Sequence, residues 1–345
     1  MEEEKWLVPD YFSSFSCKCG ECRNACCKGW KIAVTREEYL RLIGMECSEE
    51  LHLKLESAFY EPEIPTPERF RCIEPDWRGQ CRMLGDDGLC MLQKECGEEA
   101  IPEICRVYPR SYKKVNGRLQ VVCSASCEAV AEMLMTEERI TFGMKPLKNH
   151  IKADIEETLS EDFEVLAEKS REIICDKSVS LYDRILKVGD FLGTEHASGI
   201  ELKALLQVLH ELLETSDTLK PYVSEAFERY AGADEESVHI YNEDFKLFTE
   251  HYPDWEVWFE NLLINNMVYS SFPYCDKRIG SPDAFWGLLL QYQILKLVCT
   301  VYTRENPTAE NFADCVAAVY HLVEHTSFYY NSGILVNNLN NFSVD

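Results

Sequence analysis

The sequence predicts a mainly α-helical protein. A cysteine-rich, metal-organised N-terminal region of short strands and loops, residues 1–134, is expected to pack on an acidic α-helical domain, residues 135–345. Three observations carry this. Thirteen of the 17 cysteines lie between Cys17 and Cys127. Residues 1–128 hold 18 basic and 23 acidic side chains, whereas residues 129–345 hold 17 and 37. Finally, Leu202, Leu205, Leu206, Leu209, Leu212 and Leu213 recur at three- and four-residue spacing, which lines one face of a helix.

In the front region, Thr35-Arg36-Glu37-Glu38 reads as a capped helix start, with Glu38 three residues after the Thr35 cap. Glu61 to Pro67 is a proline-punctuated loop, and Gly85-Asp86-Asp87-Gly88 a tight turn. Asn116-Gly117 predicts a turn into a short strand over Leu119–Val122. A helix is expected from near Ala125 through Leu134, and Cys123 and Cys127 share its face if it begins early enough. In the rear, helical patterns occupy 154–175, 181–192, 202–213, 241–270, 283–302 and 309–325. Pro221, Pro253, Pro273, Pro282 and Pro307 fall at the expected breaks.

Composition removes several functional classes. An apolar fraction of 46% excludes wholesale disorder. A formal net charge of −25 argues against nucleic acid and anionic membrane surfaces as partners. The N-terminus lacks the basic start and apolar run of a secretory signal. The longest apolar stretch, Phe285 to Val301, is interrupted by Gln291, Gln293 and Lys296. The expected location is cytoplasmic, where thiols stay reduced and clustered cysteines point to metal or redox chemistry.

The densest signal is Phe15-x-Cys17-x4-Cys22-x3-Cys26-Cys27-x-Gly29-Trp30. A second set follows in Cys81-x-x-Leu84, Leu89-Cys90-x-x-Gln93, Gly97-Glu98 and Cys105-x-x-Tyr108-Pro109-Arg110, closing at Ser126-Cys127. Thiolate-only ligation suits either zinc or an iron–sulfur cluster, and the cysteines outnumber the four ligands one centre needs. Cys17, Cys22, Cys26, Cys27, Cys81, Cys90, Cys105 and Cys127 form the pool from which four or more ligands are expected.

These ordered positions resemble the flagellin lysine-N-methylases (FliB-type), within a wider group of cysteine-rich zinc- or iron-chelating proteins. The resemblance covers about residues 11–134. It implies methyl transfer from S-adenosyl-L-methionine to lysine amines of flagellin by a protein bearing a [4Fe–4S] cluster, with zinc as the alternative metal. Cys19 and Cys123 are extra to the pattern, and Glu128-Ala129 stands where Pro-Glu is expected. The residues alone supply no donor site: none of the 16 glycines forms a Gly-x-Gly pair, and the Cys-x3-Cys-x2-Cys order of radical enzymes does not occur. A cationic donor favours aromatic faces and a carboxylate clamp, which makes Trp30, Tyr108 and Arg110 the candidate donor-binding residues, with Tyr112 nearby. The rival reading is a non-catalytic zinc- or iron-binding or redox-sensing interaction module. His321-Leu322-Val323-Glu324-His325 matches an inverted zinc-peptidase pattern, but the only carboxylate side chain after His325 is Asp345, so the segment reads as a structural helix.

Overall fold

The computed structural model describes residues 4–342 except 25, 30, 137, 148–154, 195–198 and 216. Packing divides the chain into two compact units: Ser16–Pro109, and Met1–Phe15 together with Arg110–Asp345. Composition changes near residue 130, whereas packing divides at 15/16 and 109/110. The physical reason is that the segment from Arg110 to Leu134 buries its apolar side chains, Val121, Val122, Val130 and Leu134 among them, with the strands and helices of the larger unit.

The smaller unit is built on a three-stranded antiparallel sheet of β2 (Ile32–Val34), β4 (Arg71–Ile73) and β3 (Phe59–Tyr60), in that order. Helix α1 (Arg36–Ile43) starts at the expected capping box: Thr35 Oγ1 accepts from Glu38 N–H at 3.2 Å, and Glu38 accepts from Thr35 N–H at 2.8 Å. Helix α2 (Glu49–Ala58) is capped by Ser48. Their apolar faces meet in a small core of Val34, Leu42, Leu51, Leu55, Ala58, Ile73, Met83, Leu92 and Ile101. Two short helices follow, α3 (Met91–Cys96) and α4 (Glu103–Val107).

The larger unit carries a five-stranded mixed sheet in the order β7-β1-β6-β5-β8. Its strands are β1 (Lys5–Pro9), β5 (Arg110–Val115), β6 (Arg118–Cys123), β7 (Phe142–Pro146) and β8 (Ile155–Glu157). The expected strand after Asn116-Gly117 is β6, and the turn is a two-residue one with both residues at positive φ, 46° and 80°, which suits Asn-Gly. The helix expected near Ala125 is α5 (Glu128–Leu134); it begins later, so Cys123 ends a strand and Cys127 caps the helix rather than sharing its face. The 154–175 pattern is corrected likewise. Its described part is β8 followed by α6 (Phe163–Ile174), because Lys113 to Val115 pair with residues 155–157.

The remaining helices are α7 (Leu181–Leu192), α8 (Leu202–Leu212), α9 (Lys220–Arg229), α10 (Glu235–His251), α11 (Trp255–Tyr269), α12 (Ala284–Tyr302), α13 (Ala309–His325) and α14 (Phe328–Phe342). Central helix α12 is long and apolar enough to cross a membrane, yet 89% of that stretch is buried inside the fold. Each polar interruption has an internal partner. Gln291 donates to the Tyr320 hydroxyl at 2.7 Å, Gln293 donates to the Ile200 carbonyl at 3.0 Å, and Lys296 stands 3.7 Å from the Phe245 ring centroid. A Cβ on Gly287 would lie 2.2 Å from the Tyr329 ring, so only glycine lets α14 approach α12 this closely.

Helix α11 is buried on nearly every side and carries a polar seam. Asn261 accepts from Ile140 N–H at 3.0 Å and donates to the carbonyls of Leu134 and Glu138. One turn on, Asn265 accepts from the Tyr11 hydroxyl at 2.5 Å and donates to the Cys123 carbonyl at 2.9 Å. Glu260 takes Arg184 at 2.6 Å and also Arg139. Buried polar groups must be paired, and this seam ties the helix to the end of the central strand β6 and to the segment between α5 and β7 by doing so.

Candidate functional site

Two constellations stand out, one in each unit. Within Ser16–Pro109, two antiparallel ladders gather cysteines. Cys81 N–H donates to the Cys27 carbonyl and Gly29 N–H to the Gly79 carbonyl, each at 2.7 Å, with Lys28 bridged to Gln80. Leu84 bridges Cys90, and Met91 N–H donates to the Met83 carbonyl at 2.8 Å. Cys105 arrives on α4, whose first turn is closed by Cys105 N–H donating to Pro102.

The result is mutual proximity of four thiols, Cys26, Cys81, Cys90 and Cys105. Cys105 and Cys26 are exposed as residues, yet surrounding protein desolvates the Cys105 sulfur and pushes its thiol up, and Cys81, Cys26 and Cys90 add to this. Burial raises Cys81 to about 11, with Cys90 and Cys26 acting in the same direction. Cys90 is raised by burial and then by Cys26. Contact with the Cys27 thiol and then burial push Cys26 up. Every pair of the four is thus within electrostatic reach, and the ionisation of each opposes that of the others. Main-chain donors are already aimed at two of the sulfurs. The amides of Met83 and Leu84 donate to Cys81, and those of Leu92 and Gln93 to Cys90. Such donors favour thiolate over thiol. A bound cation would remove the remaining penalty, since coordination deprotonates a thiol. The donor set therefore fits a thiolate-ligated centre. Among the described residues, no group of three or more His, Cys, Asp or Glu side chains closes tightly enough to hold a single metal ion.

The rest of the predicted pool lies elsewhere. Cys17 is exposed and accepts from Cys19 N–H at 3.3 Å. Cys22 is half-buried, and Cys27 adjoins Cys26. Cys127 belongs to the larger unit, where it neighbours buried Cys123, raised to about 12 chiefly by burial. Of the candidate donor-binding residues, Trp30 lies outside the described residues. Tyr108 caps the end of α4 in the smaller unit, and a cis peptide joins it to Pro109. Arg110 opens β5 in the larger unit, its guanidinium 4.7 Å from the Phe15 ring centroid and close enough to Cys123 to act on its thiol. Tyr112 is buried, edge-on to Trp6 at 5.7 Å.

The second constellation sits in the larger unit, at the C-terminal end of α13. Glu324 accepts from the Ser124 hydroxyl, from Asn266 Nδ2 at 3.3 Å, and from the amides of Ala125 and Ser126 at 3.4 Å. Ser124 and Ser126 share a 2.5 Å hydrogen bond, and Ser126 Oγ lies 2.8 Å from His325 Nε2. Burial raises the Glu324 carboxyl to about 7, against the pull of those four donors. Burial holds His321 down at about 4 and His325 at about 3, with His321 adding to the latter. The sequence pattern His-x-x-Glu-His does lie on a helix, as expected, but Glu324 anchors the β6–α5 turn. Sequence reasoning marked these residues, and Ser126 within the cysteine pattern, without joining them or finding Ser124 and Asn266; the partners lie some 60 to 200 positions away.

A family model described as the FliB lysine N-methylase C-terminal domain matches residues 151–341. The chain belongs to this family. A lysine-N-methylase of Salmonella typhimurium is 27% identical over 144 residues, 40% of this chain and 34% of that protein. The same figures hold for a lysine-N-methylase of Salmonella choleraesuis. The chain thus aligns with about a third of the length of those two relatives. The flagellar biosynthetic protein FliU of Salmonella muenchen is 26% identical over 153 residues, 42% of this chain and 86% of that protein. No solved structure matches the chain. The family match falls in the helical unit, whereas the cysteine pattern that resembled the family lies mostly in the other.

Proposed function

We propose that this protein is an S-adenosyl-L-methionine-dependent protein-lysine N-methyltransferase acting on flagellin, with a cysteine-ligated iron–sulfur cluster in its smaller unit. The observation that carries the reading is membership of a family described as lysine N-methylases, through residues 151–341. The flagellin target draws on the flagellar name of FliU and on the cysteine pattern.

Cys26, Cys81, Cys90 and Cys105 are the proposed ligands. A single tetrahedral zinc requires sulfurs roughly 3.8 Å apart, since Zn–S is about 2.3 Å. A four-iron cubane distributes its thiolates over four metals and takes them at wider spacing, which suits thiols that are near one another without converging on one ion. Bound there, the cluster supplies charge compensation and a cross-link for a unit with a small apolar core. Arg110 is the proposed partner of the donor's carboxylate, because a guanidinium matches that group in two parallel hydrogen bonds.

The test is incubation of anaerobically purified, cluster-loaded protein with flagellin and methyl-labelled donor, followed by peptide mass analysis. Label on flagellin lysines is the expected result, and Arg110→Ala should raise the KM for the donor by about tenfold or more. Absence of transfer from loaded protein, together with absence of donor binding by calorimetry, would leave a non-catalytic metal-binding module in its place.

A further inference from the structure

Beside Glu324 the larger unit opens a cavity of about 160 Å³. Lys113 on β5, Glu157 on β8, Tyr269 at the end of α11, Asp276, Glu324 and Tyr329 line it. The charges there are almost all matched. Lys113 Nζ lies 3.3 Å from Glu157, donates to the Tyr269 carbonyl at 2.7 Å, and stands 5.7 Å from the centroid of the Tyr269 ring. Asp276 is held by both Arg278 Nε at 2.8 Å and Arg278 Nη2 at 2.5 Å. Glu324 is the exception. Its hydrogen-bond donors are two main-chain amides, a serine hydroxyl and an asparagine amide, all of them neutral.

The titratable groups that act on Glu324 from the surrounding elements are Tyr11, Cys123, Tyr269, Tyr320 and Tyr329. Each is an acid pushed up by burial, and so neutral. His321 and His325, on its own helix, are held neutral too. Lys113, the cation in the same lining, is engaged by Glu157 and the Tyr269 carbonyl, and a carboxylate left with neutral partners attracts a further cation from outside. The lodged Lys113 side chain shows what kind the cleft accommodates, an alkylammonium flanked by carboxylate, carbonyl and aromatic face.

We propose that this cleft binds a primary alkylammonium group, the side chain of a substrate lysine, and that the Glu324 carboxylate accepts a proton from it. The lysine assignment rests on the methyltransferase reading above. In the step, one N–H bond of the ammonium breaks and its electron pair stays on nitrogen, while the proton bonds to a Glu324 oxygen. The neutral amine can then attack the methyl carbon of a methylsulfonium donor, whose C–S electron pair leaves on sulfur as a neutral thioether. A sulfonium cannot be attacked by an ammonium, which has no lone pair, so a proton acceptor is required. The chain Glu324–Ser124–Ser126–His325 provides a continuous hydrogen-bonded path for the proton after transfer.

The affinities for the proton are suited to the task. Burial raises the Glu324 carboxyl to about 7. Desolvation by itself also favours a neutral amine, as at Lys296 in this same unit, lowered by burial to about 8, while the facing carboxylates favour the ammonium. The raised acceptor is what brings the two proton affinities closer.

The test uses the full chain with n-butylammonium as probe, followed by calorimetry and by NMR. Wild type is expected to bind it in preference to neutral n-butanol, and more tightly as pH rises through 7. Glu324→Gln should weaken binding by about tenfold or more, while Glu164→Gln on the exposed face of α6 leaves it unchanged. Equal binding of the amine and the alcohol by wild type would overturn the inference even if the variant failed to fold. If wild type methylates flagellin and Glu324→Gln keeps both kcat and its pH profile, the inference falls and the methyltransferase reading stands. If wild type methylates nothing yet binds the amine through Glu324, the reading falls and the amine site stands.

Discussion

The two units solve the problem of stability in different ways. The larger one buries a continuous apolar core and satisfies its internal polar groups one by one: Asn261 and Asn265 against main chain, Gln291 against Tyr320, and Glu260 between two arginines. The smaller one, Ser16–Pro109, has a compact apolar core of nine buried residues and much of its chain in turns. What it has instead is a set of thiols brought together by two short ladders. A unit of that size with so little buried apolar surface is expected to need a cross-link. The contrast teaches that hydrophobic burial holds the larger unit and that coordination is expected to hold the smaller.

The largest effect should come from removing the proposed cluster. Anaerobic chelation is expected to destabilise Ser16–Pro109 by an amount on the order of 10 kcal/mol, the scale of structural metal binding. Limited proteolysis read by mass spectrometry would then show cuts within that segment while Arg110 onward stays protected. Equal cutting in both units would erase the contrast. The larger unit should break through its polar seam. Glu260→Ala leaves Arg184, which is 2% exposed, with the half-exposed Glu256 as its remaining carboxylate and takes the carboxylate from Arg139, and should cost about 1–3 kcal/mol in urea unfolding.

A smaller effect follows from pH. The folded-state pKa of Glu324 is raised to about 7, so the stability it contributes is fully present below its unfolded value of about 4.3 and is lost as pH rises through 7. His321 and His325 are lowered to about 4 and about 3. Their contribution is present above about 6.5 and lost as pH falls toward those values. The two trends oppose each other between about pH 4.3 and 6.5. Glu324→Gln should therefore gain stability relative to wild type between pH 5 and 7, on the order of 2 kcal/mol, read from urea midpoints. The smallest effect belongs to the smaller unit's own helix caps: Thr35→Ala removes the Thr35–Glu38 capping box and should cost about 1 kcal/mol.

Much of the helical unit was legible. Helices α7 and α13 coincide with the patterns at 181–192 and 309–325, because apolar periodicity there has clear caps in Ser180 and Thr308. The 241–270 pattern spans α10 and α11, and Pro253, which falls at an expected break, separates them. Pro221 had the same reading, but it lies in the first turn of α9, where a missing N–H costs nothing. Helix α14 went unseen since its asparagines and Gly333 weaken the local preference, and packing on α12 decides. The five-stranded sheet was hidden for a different reason: β1 and β7 are distant in sequence, and their pairing is a tertiary fact. As for the site, sequence supplied the cysteines but not their grouping. The spacing that links Cys26 to Cys105 is set by ladders that no single segment reveals, and Cys127 folds into the other unit. Glu324 was visible in a motif, but its partners on the β6–α5 turn were not.

The most direct measurement is iron, zinc and acid-labile sulfide per chain on anaerobically purified protein, compared with Cys90→Ser and Cys127→Ser. Iron and sulfide in matched amounts in wild type and Cys127→Ser, and lost in Cys90→Ser, is the predicted result. Zinc alone after iron–sulfur reconstitution, or loss of the centre in Cys127→Ser with retention in Cys90→Ser, would contradict it.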